Sequence, residues 1–410
     1  MRIAVTGIGV ISSIGCSTTT FWKNLVAGTS GAGPIASFDA HGFGSRIACE
    51  ARDFVAEDHL DRKRLRKMAR FSQMASAAAL MAVKDSGIDL GAFDTSRIGC
   101  IIGSAGGDLE NIESQHVTLL EKGPGHGNPF AIPKTICNIA SSNAAIDLGI
   151  HGPNVAVLSA CATGAHSIGM AMDMLILGHA DVMLAGGAEA AITPLTVDSY
   201  DCMSVLSHGN EEPQKASRPF DLHRDGFVIA EGAGVLVLET WEAAAARGAV
   251  IYAELKGYGM TCDAYSMAIP EPDGTWAVKA MEIALRRSRL SPDRIGYVNA
   301  HGTSTQANDR IETLAIKRVF ASGGAGVPPI SSNKSMIGHA LGAAGAIEAA
   351  ATVLSIHHGI LPPTINLETP DPECDLDFIP SEARESRIEA AISNSFGFGG
   401  QNCVLCFGSA

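Results

Sequence analysis

Short runs rich in Val and Ile alternate along this chain with longer stretches rich in Ala and Gly. "RIAVTG", "RIGCIIG", "VAVLSA", "DVMLAGG" and "GVLVLE" read as strands, because β-branched and aliphatic residues dominate them and turn residues bound them. "ARFSQMASAAALMAVKDSG" and "CATGAHSIGMAMDMLILGHA" read as helices, ended by Gly or by His-Ala. Strand–helix alternation of this kind predicts an α/β fold. No Pro/Ser-rich linker interrupts it.

The second half of the chain partly repeats the first. "VLSACATGAHSIGMAMDMLILGHADVML" runs strand, Ser, loop, small-residue helix, Gly-His turn, strand. "PPISSNKSMIGHALGAAGAIEAAATVLSIHHGILPP" follows the same order from Ile330 onward. Two similar α/β halves sharing one core would account for the missing linker.

Composition narrows the class. At 410 residues, 46% hydrophobic and 18% charged, the chain suits a compact body with much buried surface. Aromatic residues make up only 5%, against 45 glycines, so close backbone packing is expected rather than a core of large rings. No run is apolar and long enough for a membrane span. "MRIAVTGIGVISSIG" opens as a secretory leader would, yet its Val, Ile and Thr broken by glycines read as a first strand and turn. A cytoplasmic protein is expected, or one of an organelle matrix if a transit peptide was trimmed.

The net charge of −13 argues against nucleic acid as a partner. "DRKRLRKMAR", Asp61 to Arg70, is the one basic run, and it reads either as a solvated helix face or as a docking patch for an acidic partner. The ten cysteines show no disulfide framework. Cys403 and Cys406 of "CVLC" point to opposite faces of a strand, which disfavours a metal or redox pair, and no metal-ligand cluster is expected.

Cys161 is set apart by position. It follows the apolar run "VAVLSA" and precedes a predicted helix, where free N–H groups and the helix dipole favour thiolate and a developing oxyanion. A packed structural cysteine remains the alternative on position alone. "YVNAHGTSTQANDRIE" places His301 after an apolar strand, and "SSNKSMIGHALGAAGAIE" supplies Lys334, His339 and Glu348. "SNSFGFGGQN" is a glycine-rich loop carrying Phe396 and Phe398. A dinucleotide site at "GIGVIS" is disfavoured, because Ser12 stands where a third glycine is needed and no acidic residue closes a second strand.

Taken together, these stretches resemble the β-ketoacyl-acyl-carrier-protein synthases, most of all the discrete type II enzymes of the I/II group. The likeness runs from "VTGIGVISSIG" through "SACATGAHSIG", "ASRPFDLHRDGFVIAEGAG", "NAHGTSTQAND" and "KSMIGHALGAAGAIE" to "PPTINLETPDPECDLDFIP" and "NSFGFGG". It implies a thiolase-like fold of two duplicated halves in five αβαβα layers. Residues 1–250 would carry the nucleophile, and residues 251–410 the two histidines and the glycine-rich gate loop. The implied reaction is a decarboxylative Claisen condensation of an acyl thioester with malonyl-acyl-carrier protein in fatty-acid elongation. A ketosynthase of a specialised pathway with its own carrier protein is the alternative.

By the same resemblance Cys161 is the acyl-carrying nucleophile, and His301 and His339 are the paired histidines. Lys334 sets the electrostatics of the second histidine, with Glu348 as its ion-pair partner. Thr303 and Thr305 hold the phosphopantetheine arm, which arrives on the carrier protein, so no bound cofactor is implied. Phe398 is a gate whose N–H joins that of Cys161 in an oxyanion hole. Lys63, Arg66 and Lys67 would dock an acidic acyl carrier protein, and the assembly would be a homodimer.

Two departures stand out. Gly125, His126 and Ser204 replace basic residues often found in elongating members, so docking is expected to be weaker or fitted to another carrier protein. Gly106 stands where some members have isoleucine lining the acyl pocket, and a deeper or less gated pocket is expected there.

Overall fold

The computed structural model describes residues 1–321 and 326–410. Ten strands form one twisted sheet: β1 (Ile3–Ile11), β2 (Ile98–Gly103), β3 (Asn154–Val155), β4 (Val182–Glu189), β5 (Gly232–Thr240), β6 (Ala253–Cys262), β7 (Tyr297–Asn299), β8 (Ile330–Ser331), β9 (Ala390–Gly397) and β10 (Gln401–Gly408). Their order is β8-β7-β9-β10-β6-β1-β5-β4-β2-β3. Adding five to each strand of the first half, 3-2-4-5-1, gives the second half, 8-7-9-10-6. Each half pairs its strands in the same sense, parallel in the outer three and antiparallel inward. The halves meet where β1 pairs antiparallel with β6, from Ile3↔Leu255 to Val5↔Ala253. The repeat read from the sequence is therefore a duplicated topology.

Helices complete five layers. α1 (Arg70–Ser86) and α3 (Ile139–Leu148) cover the outer face of the first half, and α2 (Leu109–Lys122) has no buried residue. α5 (Thr275–Ser288) and α6 (Gln306–Phe320) cover the second. α4 (Thr163–Ile176) and α7 (Ala344–His358) fill the middle layer. α7 is buried at every residue from Ala344 to Ile356, as an all-round apolar helix must be. Among the described residues no helix is long and apolar enough to cross a membrane.

Small residues set the layer spacing. A Cβ at Gly9 would lie 1.9 Å from the Ala78 carbonyl of α1, so the glycines of "GIGVIS" admit a helix onto β1 and make no nucleotide turn. Gly164 of α4 would likewise place a Cβ 2.7 Å from the Ala346 nitrogen of α7. This packing brings the starts of the two central helices together. Cys403 and Cys406 belong to the central and outer cores respectively, on opposite faces of β10.

One expected strand is different. Of "VAVLSA" only Val155 pairs, within the two-residue edge strand β3, and Val155 and Leu158 are exposed. Apolar character there marks a surface, not a buried strand.

Candidate active site

Cys161 sits in a 3₁₀ turn, Ala160–Ala162, just ahead of α4 rather than in its first turn. The turn is sharp: Ala160 takes φ 47°, a region non-glycine residues seldom adopt. It is fastened by Ser159 N–H donating to Thr163 Oγ1 at 2.8 Å and by Ser159 Oγ on His166 Nδ1 at 2.8 Å. The C-terminal loop then closes on it. A Cβ at Gly397 would lie 2.8 Å from the Ser159 carbonyl and 3.1 Å from Cys161 N, so this approach requires glycine. The Phe398 N–H and the Cys161 N–H both face the sulfur.

Placement ahead of a helix was expected to favour thiolate. Burial outweighs that here: it pushes the thiol up to about 11, with the Phe398 N–H and the Lys334 charge only partly offsetting it. At neutral pH Cys161 is a thiol, and its proton must leave as it attacks.

Cys161, His301, His339, Thr303, Thr305 and Phe398 line one cavity of about 190 Å³. The two imidazoles meet edge to face, centroids 5.4 Å apart. His301 follows β7, where its N–H and that of Gly302 donate to the buried Glu312 carboxylate at 2.8 and 2.7 Å. His339 is held by its own backbone, donating to the Val228 carbonyl at 2.8 Å, and its ring packs edge-on against Phe227.

Both histidines titrate well below the usual imidazole value. Burial is the main cause for each, and the Lys334 charge adds to it. They are therefore neutral at physiological pH, and each can present one N–H.

Lys334 is almost wholly buried and ion-paired with Glu348. Its ammonium donates to the His301 carbonyl at 2.7 Å and stands 3.4 Å from His301 Nδ1. Its charge acts on the second histidine, as the resemblance implied, and its direct contact is with the first. An ammonium can only donate, so it leaves Nδ1 as acceptor and puts the ring proton on Nε2. Burial raises the Glu348 carboxyl to about 7 despite that ammonium. Thr303 and Thr305 join hydroxyls at 2.8 Å on the cavity wall.

A Cβ at Gly106 would meet Leu109 Cδ1 at 3.0 Å, so Leu109 borders the space a larger side chain would take. Leu109 packs with Cys161, Ala191, Leu341 and Tyr200.

Lys63, Arg66 and Lys67 are exposed and, among the described residues, have no acidic partner. The intervening Arg64 and Arg70 turn inward to Asp147 and Glu231. The basic run thus divides into cations held by carboxylates and exposed ones, of which Lys67 lies over the Phe130 ring. Gly125, His126 and Ser204 are exposed.

Sequence reasoning missed three buried charged residues. Glu312 holds the backbone of His301. Arg224 donates to the Thr305 and Gln306 carbonyls at 3.2 and 3.1 Å while pairing with Asp371. Glu189 accepts four hydrogen bonds behind the cysteine. An arginine inside the apolar, glycine-rich "HRDGFVIAEGAG" was the one available signal.

Comparison with known proteins agrees with this geometry. Residues 1–244 match the family model "Beta-ketoacyl synthase, N-terminal domain", and residues 252–368 match "Beta-ketoacyl synthase, C-terminal domain". The chain is 48% identical over 406 residues to 3-oxoacyl-[acyl-carrier-protein] synthase 2 of Vibrio harveyi, covering 99% of this chain and 98% of that one. Against the Synechocystis protein of the same name it is 47% identical, covering 99% and 97%. Among solved structures, the ishigamide ketosynthase/chain length factor superposes with a TM-score of 0.94 at 36% identity, covering 100% and 99%. A ketosynthase in complex with its type II polyketide synthase acyl-carrier protein superposes at 0.90 and 36%, with the same coverage. A buried, N–H-faced cysteine beside two neutral histidines, on a duplicated five-layer fold with these matches, places the chain in the β-ketoacyl synthase family.

Proposed function

We propose that this protein is a 3-oxoacyl-[acyl-carrier-protein] synthase that condenses an acyl group on Cys161 with malonyl-acyl-carrier protein in fatty-acid elongation. The observation that carries the reading is the shared cavity, where a thiol faced by two backbone N–H groups meets two histidines kept neutral.

In the first half-reaction the Cys161 sulfur attacks the acyl thioester. The carbonyl oxygen becomes an oxyanion that the Cys161 and Phe398 N–H groups stabilise. The carrier thiolate leaves and takes up the proton the cysteine lost. In the second, malonyl thioester loses CO₂ and its bonding electrons become an enolate, whose oxygen accepts from the His301 and His339 N–H groups. The enolate carbon attacks the acyl-cysteine carbonyl. The tetrahedral intermediate then expels the Cys161 sulfur, which is reprotonated, and the 3-oxoacyl carrier protein departs. Thr303 and Thr305 hold the phosphopantetheine arm, which is part of the substrate.

Lys63, Arg66 and Lys67 dock the acidic carrier protein by complementary charge. The enzyme works in the cytoplasm, where that carrier is held. A second copy covers the β3 edge, since an exposed edge strand followed by apolar Leu158, 57% exposed, needs a partner. Sedimentation gives a dimer on this reading, and a monomer at micromolar concentration contradicts it. The reaction is tested by incubating the protein with acyl- and malonyl-carrier proteins. Equal yields of CO₂ and of product two carbons longer support it, and absence of both overturns it.

A further inference from the structure

Glu189 is a fully buried carboxylate that the condensation above does not use. Four donors from two places in the chain converge on it. Ser104 Oγ and Gly106 N–H reach Oε1 at 2.9 and 3.1 Å, while Ala105 N–H and Gly342 N–H reach Oε2 at 2.7 and 3.1 Å.

Duplication explains why an anion fits there. The turn Ala160–Ala162 before α4 has its counterpart in Leu341–Ala343 before α7, with Ala160 at φ 47° and Leu341 at φ 46°. Gly342 thus stands where the first half has Cys161. Its N–H, which donates to Glu189 Oε2, corresponds to the Cys161 N–H, so the Glu189 carboxylate stands on the side that the oxyanion takes in the working half. Glu189 closes β4 as Gly397 closes β9.

The consequence reaches the substrate. The Ser104–Gly106 segment leads directly to Leu109, and the turn holding Gly342 carries Leu341. These two leucines pack against Cys161, and Leu341 also lines the cavity, so they are the apolar surface nearest an acyl chain bound as its thioester. We propose that Glu189 is a positioning residue, clamping a loop from each half so that Leu109 and Leu341 form a wall that limits acyl-chain length. This rests on Cys161 being the acylated residue.

Losing a buried hydrogen bond to a charged acceptor shifts an equilibrium by about tenfold or more. Glu189→Gln presents an amide N–H₂ to donors, so at least one of the four bonds breaks and Leu109 is released. The test is the rate of Cys161 acylation by hexanoyl- and hexadecanoyl-carrier protein, followed by intact-protein mass. Glu189→Gln is expected to shift the hexadecanoyl-to-hexanoyl ratio about tenfold toward the longer chain. Leu109→Phe, which leaves the carboxylate in place, is expected to shift it the other way. Iodoacetamide alkylation of Cys161, which needs no acyl space, should be retained in both variants. A ratio unmoved in both overturns the proposal, and so does an equal loss at the two lengths in Glu189→Gln. If that variant does not fold, an unmoved ratio in Leu109→Phe overturns it alone. Wild-type protein that neither carrier acylates would instead refute the condensing function.

Discussion

Replacing Lys334 by Met separates what the buried ion pair does for the fold from what the lysine does for His301. The side chains of Lys334 and Glu348 are 1% and 0% exposed, and burial already raises the Glu348 carboxyl to about 7, so removing the ammonium leaves a buried acid that must take up a proton and has lost its donor. Breaking one partner of such a pair costs about 3–5 kcal/mol. Unfolding entropy of about 2.1 cal/mol/K per residue implies roughly 0.9 kcal/mol/K for a chain this long, so Tm should fall by about 4–6 °C. The double variant Lys334→Met/Glu348→Leu removes both charges and should regain most of that loss, because a buried pair contributes little against an apolar pair of similar size. Activity should not return with it. Both variants lack the donor to the His301 carbonyl and the ammonium facing Nδ1, so the ring loses the constraint that points its Nε2–H into the cavity. Scanning calorimetry and CO₂ release from malonyl-carrier protein read the two effects independently. A double variant no more stable than Lys334→Met would refute the ion-pair argument, and one with wild-type decarboxylation would refute the role given to His301.

Other consequences follow from the same geometry. Because burial lifts the Cys161 thiol to about 11, its alkylation by iodoacetamide should rise about tenfold per pH unit from 7 to 10 without levelling off. A plateau near pH 7 would contradict that. His301 and His339 titrate below the unfolded value near 6.5, so below that pH the unfolded chain binds more protons and stability falls as pH drops. The slope is at most about 1.4 kcal/mol per histidine per pH unit, and His301→Asn/His339→Asn should flatten it in melts between pH 6.5 and 5. Reversing Lys63, Arg66 and Lys67 to Glu should lower kcat/KM for acyl-carrier protein about tenfold or more at low salt, and far less for a small acyl thioester. Equal losses for both substrates would remove the docking role.

The layered fold was legible because alternating patterns and the internal repeat both survive in the residues, and the glycine-spaced helices pack as their composition suggests. "VAVLSA" misled because apolar character does not distinguish a strand buried in its own chain from one left at an exposed edge. Cys161, His301 and His339 stood out at strand ends and before a helix, but the thiol's protonation did not. It depends on how completely other segments cover the sulfur, which no local motif records. Gly106 was read as missing volume, and the neighbour bordering that space, Leu109, lies three residues on, where no motif drew attention to it. Glu189 and Glu312 were missed, since most of the groups they bind are backbone N–H donors that any residue type provides.

The most direct test of the central claim is a comparison of Cys161→Ala and Cys161→Gln with the wild-type protein. Each is incubated with acyl- and malonyl-carrier protein while the acyl-enzyme mass, CO₂ and 3-oxoacyl product are measured together. The wild type should gain one acyl mass and form product, and neither variant should do so, while Cys161→Gln should still release CO₂ from malonyl-carrier protein. Elongated product from Cys161→Ala would contradict the assignment of Cys161 as the acyl-carrying nucleophile.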